Sequence, residues 1–245
     1  MKIFTLLFLF LVTNSFLFSQ IESGKKKGKK NKQAVESSKP VEMEQKTIVS
    51  LNYARGNSFR TLQQNGDFYG DSLGERSNET AQATSGVYLT LNNPINKNLF
   101  LDFGIGFQQF GEQYSKDLLD STISYENKYA NLVLPLKIQF KKGKDFQFFV
   151  STGFQAQLAL AFTNEYTITK DNASNTTKTE ITYNKNSFSI ASTSSLGFQM
   201  RFSPKSCLIV SGDFIRQLSS SYNNQASYIH KPYFYGFKVG LGFKL

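Results

Sequence analysis

Tyr233-Phe-Tyr-Gly-Phe-Lys-Val-Gly-Leu-Gly-Phe-Lys-Leu245 closes the sequence. Its odd positions are Tyr233, Tyr235, Phe237, Val239, Leu241, Phe243 and Leu245, and its even positions are mostly glycine and lysine. A β-strand turns alternate side chains to opposite faces, so one face of this strand is wholly apolar and the other, after Phe234, is small or charged. A soluble sandwich or lipocalin-type barrel also alternates, but it puts its apolar face inside and would not fill its interior with Gly, Gln, Ser and Lys. Apolar outside and polar inside is the pattern of a barrel in lipid.

The same period recurs upstream. Residues 188–202 set Phe188, Ile190, Leu196, Phe198 and Met200 against Ser189, Ser195, Gln199 and Arg201. Residues 146–160, 99–107 and 132–140 behave alike, and weaker segments begin at Val49, Val87 and Leu208. In the segment at Leu208 the Gly212 interruption leaves Ile209 and Ile215 competing for the outer face. Together these eight segments offer 43 apolar-face positions, none charged, where a chain with 19% charged residues would place about eight by chance. The five clear segments have the 9–11 residues that a tilted transmembrane strand needs.

Connections of two lengths alternate. Residues 93–98, 141–145 and 203–206 are short turns with Pro or Gly; residues 56–84, 109–129, 161–186 and 218–231 are long and polar. Outer-membrane barrels have short periplasmic turns and long extracellular loops. The expected fold is all-β: an eight-stranded antiparallel transmembrane β-barrel, up-and-down, with both termini periplasmic. Phe140, Phe146, Phe202 and Phe243 are expected in a girdle at the periplasmic rim, and Tyr53, Phe107, Tyr129, Phe188, Phe214 and Tyr233 in one at the other rim. Residues 163–184, rich in Thr and Asn, can extend strands above the membrane as a ridge. Pro135, in mid-strand, forfeits a ladder hydrogen bond, and a bulge is expected there.

Two N-terminal segments precede the barrel. Residues 1–19 carry Lys2, an apolar run and a polar break, which is a secretory signal with cleavage expected between Ser19 and Gln20. Residues 20–46 pack six lysines between Lys25 and Lys32 and read as a disordered periplasmic tether that repels itself. Peptidoglycan or anionic lipid is its candidate partner. The barrel domain is residues 47–245, expected in the outer membrane of a Gram-negative bacterium, as a monomer, with outer-membrane lipid as its main partner.

The run Tyr129-Ala-Asn-Leu-Val-Leu-Pro-Leu-Lys-Ile-Gln-Phe140 resembles a conserved strand of the Bacteroidetes outer-membrane β-barrel family, known as PorT-like. The segments 196–202 and 236–245 are similar to its later strands. The resemblance implies a fold and a location. It implies no activity, although one member of that family serves a protein secretion apparatus.

For chemistry the sequence offers little. Cys207 is the single cysteine and His230 the single histidine, so Cys-pair and His-rich metal sites are excluded. No cofactor, metal or nucleic-acid partner is expected. His230 borders a loop containing Ser219, Ser220, Ser221 and Ser227 but no acid, and it reads as a solvated rim residue; enzyme activity is not expected. An eight-stranded lumen is just wide enough for side chains to fill. Asp102, Lys137, Arg201, Asp213, Lys238 and Lys244 face it and predict an interior network of paired charges. The leading expectation is a structural or surface-interaction barrel acting through its loops. The alternatives are a narrow solute channel or secretion-associated subunit, and a soluble lipocalin-like ligand binder.

Overall fold

The computed structural model describes residues 46–64, 78–171, 173–182 and 184–245. The signal segment with Ser19 and Gln20, and the lysines from Lys25 to Lys32, lie outside the described residues. Among the described residues nine strands follow in chain order: β1 Ile48–Gln64, β2 Glu79–Pro94, β3 Leu99–Asp117, β4 Ser121–Gly143, β5 Phe146–Lys170, β6 Ala173–Glu180, β7 Phe188–Arg201, β8 Ser206–Gln217 and β9 Tyr228–Lys244. All neighbours pair antiparallel. The sheet runs β4-β3-β2-β1-β9-β8-β7-β5-β6, and a further pairing of β4 with β5 closes it. Eight strands therefore form a ring.

The ninth, β6, stands outside that ring. It pairs only with the distal part of β5, from Thr163↔Glu180 to Lys170↔Ala173. β5 has 25 residues and β4 has 23, more than twice what a bilayer needs. Much of what reads as loop in the sequence is thus strand: the connection between β3 and β4 shrinks to residues 118–120. The distal parts of β3, β4, β5 and β6 rise beyond the barrel as a four-stranded ridge.

The outer face follows the alternation. Leu51, Leu89, Leu136, Phe154, Leu196, Phe237 and Leu241 are all exposed, Phe237 at 73% and Leu196 at 69%. They lie at matching heights, since Leu51 faces Leu89 on one side and Leu241 on the other. The belt covers residues 49–53 on β1, 87–91 on β2, 101–107 on β3, 132–140 on β4, 146–158 on β5, 188–200 on β7, 208–214 on β8 and 233–243 on β9. Water cannot tolerate so continuous an apolar band, whereas lipid requires one. A closed ring also leaves no strand edge inside that band, which lipid would leave unsatisfied. The chain is an integral outer-membrane-type β-barrel.

Two details, at Tyr129 and Pro135, differ from expectation; a third resolves the outer face of β8 in favour of the expected residues, and a fourth adds a close approach of two strands. Tyr129 faces inward and is only 1% exposed, because the strand parity that turns Leu132 outward turns every odd residue of β4 inward. On β8 the outer face goes to Leu208, Val210 and Phe214, while Ile215 is buried inside. Pro135 sits at no bulge: its strand keeps one register with β3, from Phe103↔Leu136 to Gly106↔Val133, placing Gly104 opposite the proline ring. The bulge of β4–β5 lies instead between Ala130 and Asn131. Finally, Gly56 and Gly236 face each other across β1 and β9, and the Phe234 ring lies over both, in space that a side chain at either position would need.

Candidate functional site

The lumen is packed in three layers. The periplasmic layer is polar. Lys137 Nζ meets Asp102 Oδ2 at 3.0 Å, and these residues are direct partners in the β3–β4 register. Lys238 Nζ meets Asp213 Oδ2 at 2.5 Å, and Ser211 Oγ donates to the other oxygen of Asp213. Lys141 donates to Asn92 Oδ1 and Gln199 Oε1, both at 2.7 Å, and Asn92 donates to Gln139. The remaining void, bordered by Asn52, Asp102, Lys137 and Lys238, holds about 30 Å³, room for on the order of two waters. Of the six charges predicted for this network, Asp102, Lys137, Asp213 and Lys238 meet in this layer. Arg201 lies lower, at the rim, 3.5 Å from Asp145, and Lys244 stands half-buried at the same rim.

Above this lies an apolar layer. Tyr88, Phe110, Val133, Phe162, Ile215 and Phe234 cross the lumen and form one buried cluster with Tyr129. The Tyr88 hydroxyl donates a hydrogen bond to Gln108 Oε1, so its polar tip is engaged.

The extracellular mouth holds a second polar cluster, built around Glu112 and Arg60. Glu112 Oε1 accepts from Tyr129 Oη at 2.6 Å, from Asn127 Nδ2 at 2.8 Å and from Arg60 at 3.0 Å. Arg60 also reaches Glu79 Oε1 at 2.6 Å, which in turn accepts from Tyr125 Oη at 2.7 Å. His230 completes the set with Nε2 4.0 Å from Glu112 Oε2, too far for a hydrogen bond. His230 is fully buried between the rings of Tyr129 and Tyr222, with centroids 4.8 and 5.3 Å away. The expectation of a solvated rim histidine is therefore overturned. The acid absent from its loop arrives from β3, across the lumen.

Burial drives the His230 imidazole below its ordinary value, against the pull of Glu112, so it is neutral near pH 7. Burial pushes the Glu112 carboxyl up, but its neighbours, among them the Arg60 charge and the Tyr129 hydrogen bond, outweigh it and hold the carboxyl below its ordinary value. Arg60 thus bridges two carboxylates, Glu79 and Glu112. Glu112 Oε2 and both ring nitrogens of His230 have no hydrogen-bond partner.

Loops knit over this cluster. Ser221 N donates to His230 O at 2.8 Å, and His230 N donates to Ser220 Oγ. Asn186 holds the same loop three ways, through Ser221 O, Ser220 O and Tyr222 O. Tyr222 and Ala226 are buried beneath it.

Sequence reasoning missed Arg60, Glu79 and Glu112 because they stand in segments that read as loop. The signal was there for two of them: Glu112 continues the inward parity of Gln108 and Phe110, and Arg60 continues that of Ser50, Asn52 and Ser58. Glu79 lies beyond a register shift between Ala81 and Gly86, counted outward from the belt, which no parity argument crosses.

No family model matches the chain, and no curated protein is similar to it, so the resemblance of residues 129–140, 196–202 and 236–245 to the Bacteroidetes barrels stands on those residues alone. Among solved structures it is similar to OprG, an outer membrane protein from Pseudomonas aeruginosa, at 11% identity and a TM-score of 0.41, over 82% of this chain and 96% of that one. It is similar to Neisserial surface protein A at 10% identity and a TM-score of 0.39, over 81% and 97%. Ail, the attachment invasion locus protein of Yersinia pestis, aligns at 11% identity and a TM-score of 0.34, over 82% and 100%. The fold assignment here rests on the closed ring and its belt.

Proposed function

We propose that this outer-membrane barrel is a closed scaffold that holds a β-ridge outside the cell as a contact surface. The observation that carries the reading is the apolar layer. Phe110 and Phe234 are each 0% exposed and Val133 faces them, so solute has no water-filled path between the two polar layers. A channel of this size would need its polar layers to be continuous.

The ridge supports the second half of the reading. Its strands continue the barrel's own ladder, so it is rigid where loops are usually mobile. Between its strands, Thr80, Gln113, Ser124, Glu126, Glu165 and Thr167 border an open groove of about 610 Å³. β6 is exposed along its whole length and offers its outer edge for pairing with another strand.

Planar-bilayer recording tests the closed scaffold. The wild-type chain is expected to give no stable conductance steps, and Phe110→Gly with Phe234→Gly is expected to give them. Steps from the wild type would favour the narrow-channel reading. Cells displaying the chain with residues 165–178 replaced by a short turn are expected to lose adhesion to a surface that the full chain binds, while the barrel still shifts on heating in a detergent gel. Equal adhesion would remove the ridge from the function.

A further inference from the structure

Charge is divided unequally between the two ends. Beyond the belt on the extracellular side, the described residues carry nine basic and eight acidic side chains. The periplasmic side carries eight basic side chains, counting the inward-facing Lys141, and one acidic one, Asp145, which Arg201 already approaches at 3.5 Å. The basic residues are spread around the circumference. Lys97 sits in the β2–β3 turn, Lys142 and Lys144 flank the β4–β5 turn, and Lys205 lies in the β7–β8 turn. Lys46 and Lys244 mark the remaining quarter, where β1 begins and β9 ends. Lys46, Lys97, Lys142, Lys144 and Lys205 are exposed.

The ring is held in place by backbone. Lys141 N donates to Asn98 O, Arg201 N to Asp145 O, Lys244 N to Lys205 O and Leu245 N to Thr47 O, so each turn is tied to its neighbour. Directly above the lysines stand Phe140, Phe146, Phe202 and Phe243, all about half exposed, at the depth where aromatic rings meet headgroups. Lysine ammonium groups at this height lie level with lipid phosphates. A basic residue near an anionic membrane surface gains attraction that falls off within a Debye length.

We infer that the periplasmic rim is a binding ring for anionic phospholipid headgroups of the inner leaflet, with Lys97, Lys142, Lys144 and Lys205 as its phosphate contacts. The inference rests on the reading of this end as the periplasmic face of an outer-membrane barrel. It concerns the folded rim and is independent of the lysines between Lys25 and Lys32.

The test uses the full mature chain folded into phosphatidylcholine bilayers that contain spin-labelled phosphatidylglycerol or spin-labelled phosphatidylcholine as probe. The motionally restricted fraction gives the relative association constant of the two lipids. The wild type is expected to prefer phosphatidylglycerol several-fold, on the order of fivefold, with the preference fading in high salt. The K97Q/K142Q/K144Q/K205Q variant is expected to bring the ratio to about one while keeping its heat-shifted migration, which shows it folded. Lys-to-Arg changes at the same four sites are expected to keep the preference. The extracellular-rim variant R55Q/K231Q is expected to retain most of it. A folded wild type with a ratio near one, or loss of preference from R55Q/K231Q instead, overturns the ring. A wild type that neither inserts nor shifts on heating takes down the barrel reading itself, and the ring with it.

Discussion

The two polar layers of the lumen are built from the same residue types to opposite designs. In the periplasmic layer each acid has its own lysine, and the partners belong to adjacent strands: Asp102 with Lys137 on β3 and β4, Asp213 with Lys238 on β8 and β9. In the mouth, one guanidinium serves two carboxylates, contributed by β1, β2 and β3, while His230 of β9 stands beside them uncharged. Pairing between neighbours matches these four charges at low cost, since a buried charge is tolerable only when matched, while Lys141, the third lysine of the layer, is held by the amide oxygens of Asn92 and Gln199. The mouth keeps an unmatched carboxylate oxygen beneath a loop cover, and its charge balance changes with one proton.

The largest effects should come from stranding charge in either layer. Arg60→Met leaves Glu79 and Glu112 buried together and should cost about 3–5 kcal/mol, read as a lower urea midpoint of the folded barrel in lipid. Lys238→Met should cost a similar amount. The comparison sharpens in the rescue: Asp213→Leu should restore most of the loss in Lys238→Met, whereas Arg60→Met should need both Glu79→Gln and Glu112→Gln. Rescue of Arg60→Met by a single acid change would show that the mouth is paired one to one after all.

Next in size is the contrast between belt and ridge. Leu89→Arg places a cation near the membrane midplane and should cost about 2–4 kcal/mol in the same unfolding measurement. Thr176→Arg, on the exposed ridge strand, should stay within about 0.5 kcal/mol. An equal cost at both sites would mean that the ridge is buried against something.

Tyr129→Phe removes one of the three donors to Glu112 Oε1 and should cost about 1–3 kcal/mol. Tyr88→Phe, which frees only the neutral amide oxygen of Gln108, should cost about 1 kcal/mol.

The smallest effect is one of pH and belongs to the mouth alone. His230 in the folded protein lies below its ordinary value of 6.5, so the folded state binds fewer protons than the open one. Stability of the cover is complete above that value and is lost as pH falls below it. Glu112, also held low, adds a second loss below about 4.5. Exchange of the Ser221 amide, which donates to the His230 carbonyl, should speed up relative to its intrinsic rate by up to about tenfold per pH unit below 6.5. His230→Gln should flatten the response. A wild-type profile that is already flat would mean that His230 keeps its proton state on opening.

The sequence alone determined what each strand shows to lipid and what it shows to the lumen, because a period of two needs no knowledge of the partner strand. It therefore settled the belt, the ring of eight and the inward placement of Asp102, Lys137, Asp213 and Lys238. Its reading stopped where the belt stopped. Above the membrane the apolar half of the alternation disappears, so the distal parts of β3, β4 and β5 look like polar loop, and Glu112 and Tyr129 vanish from the interior list. Only the tertiary structure decided which inward groups meet. Asp102 and Lys137 are neighbours in a hairpin, within reach of a register argument. Arg60, Glu112 and His230 come together across the lumen from β1, β3 and β9, and that meeting depends on how far each strand is staggered when the sheet closes, a quantity set by the whole ring rather than by any segment of it.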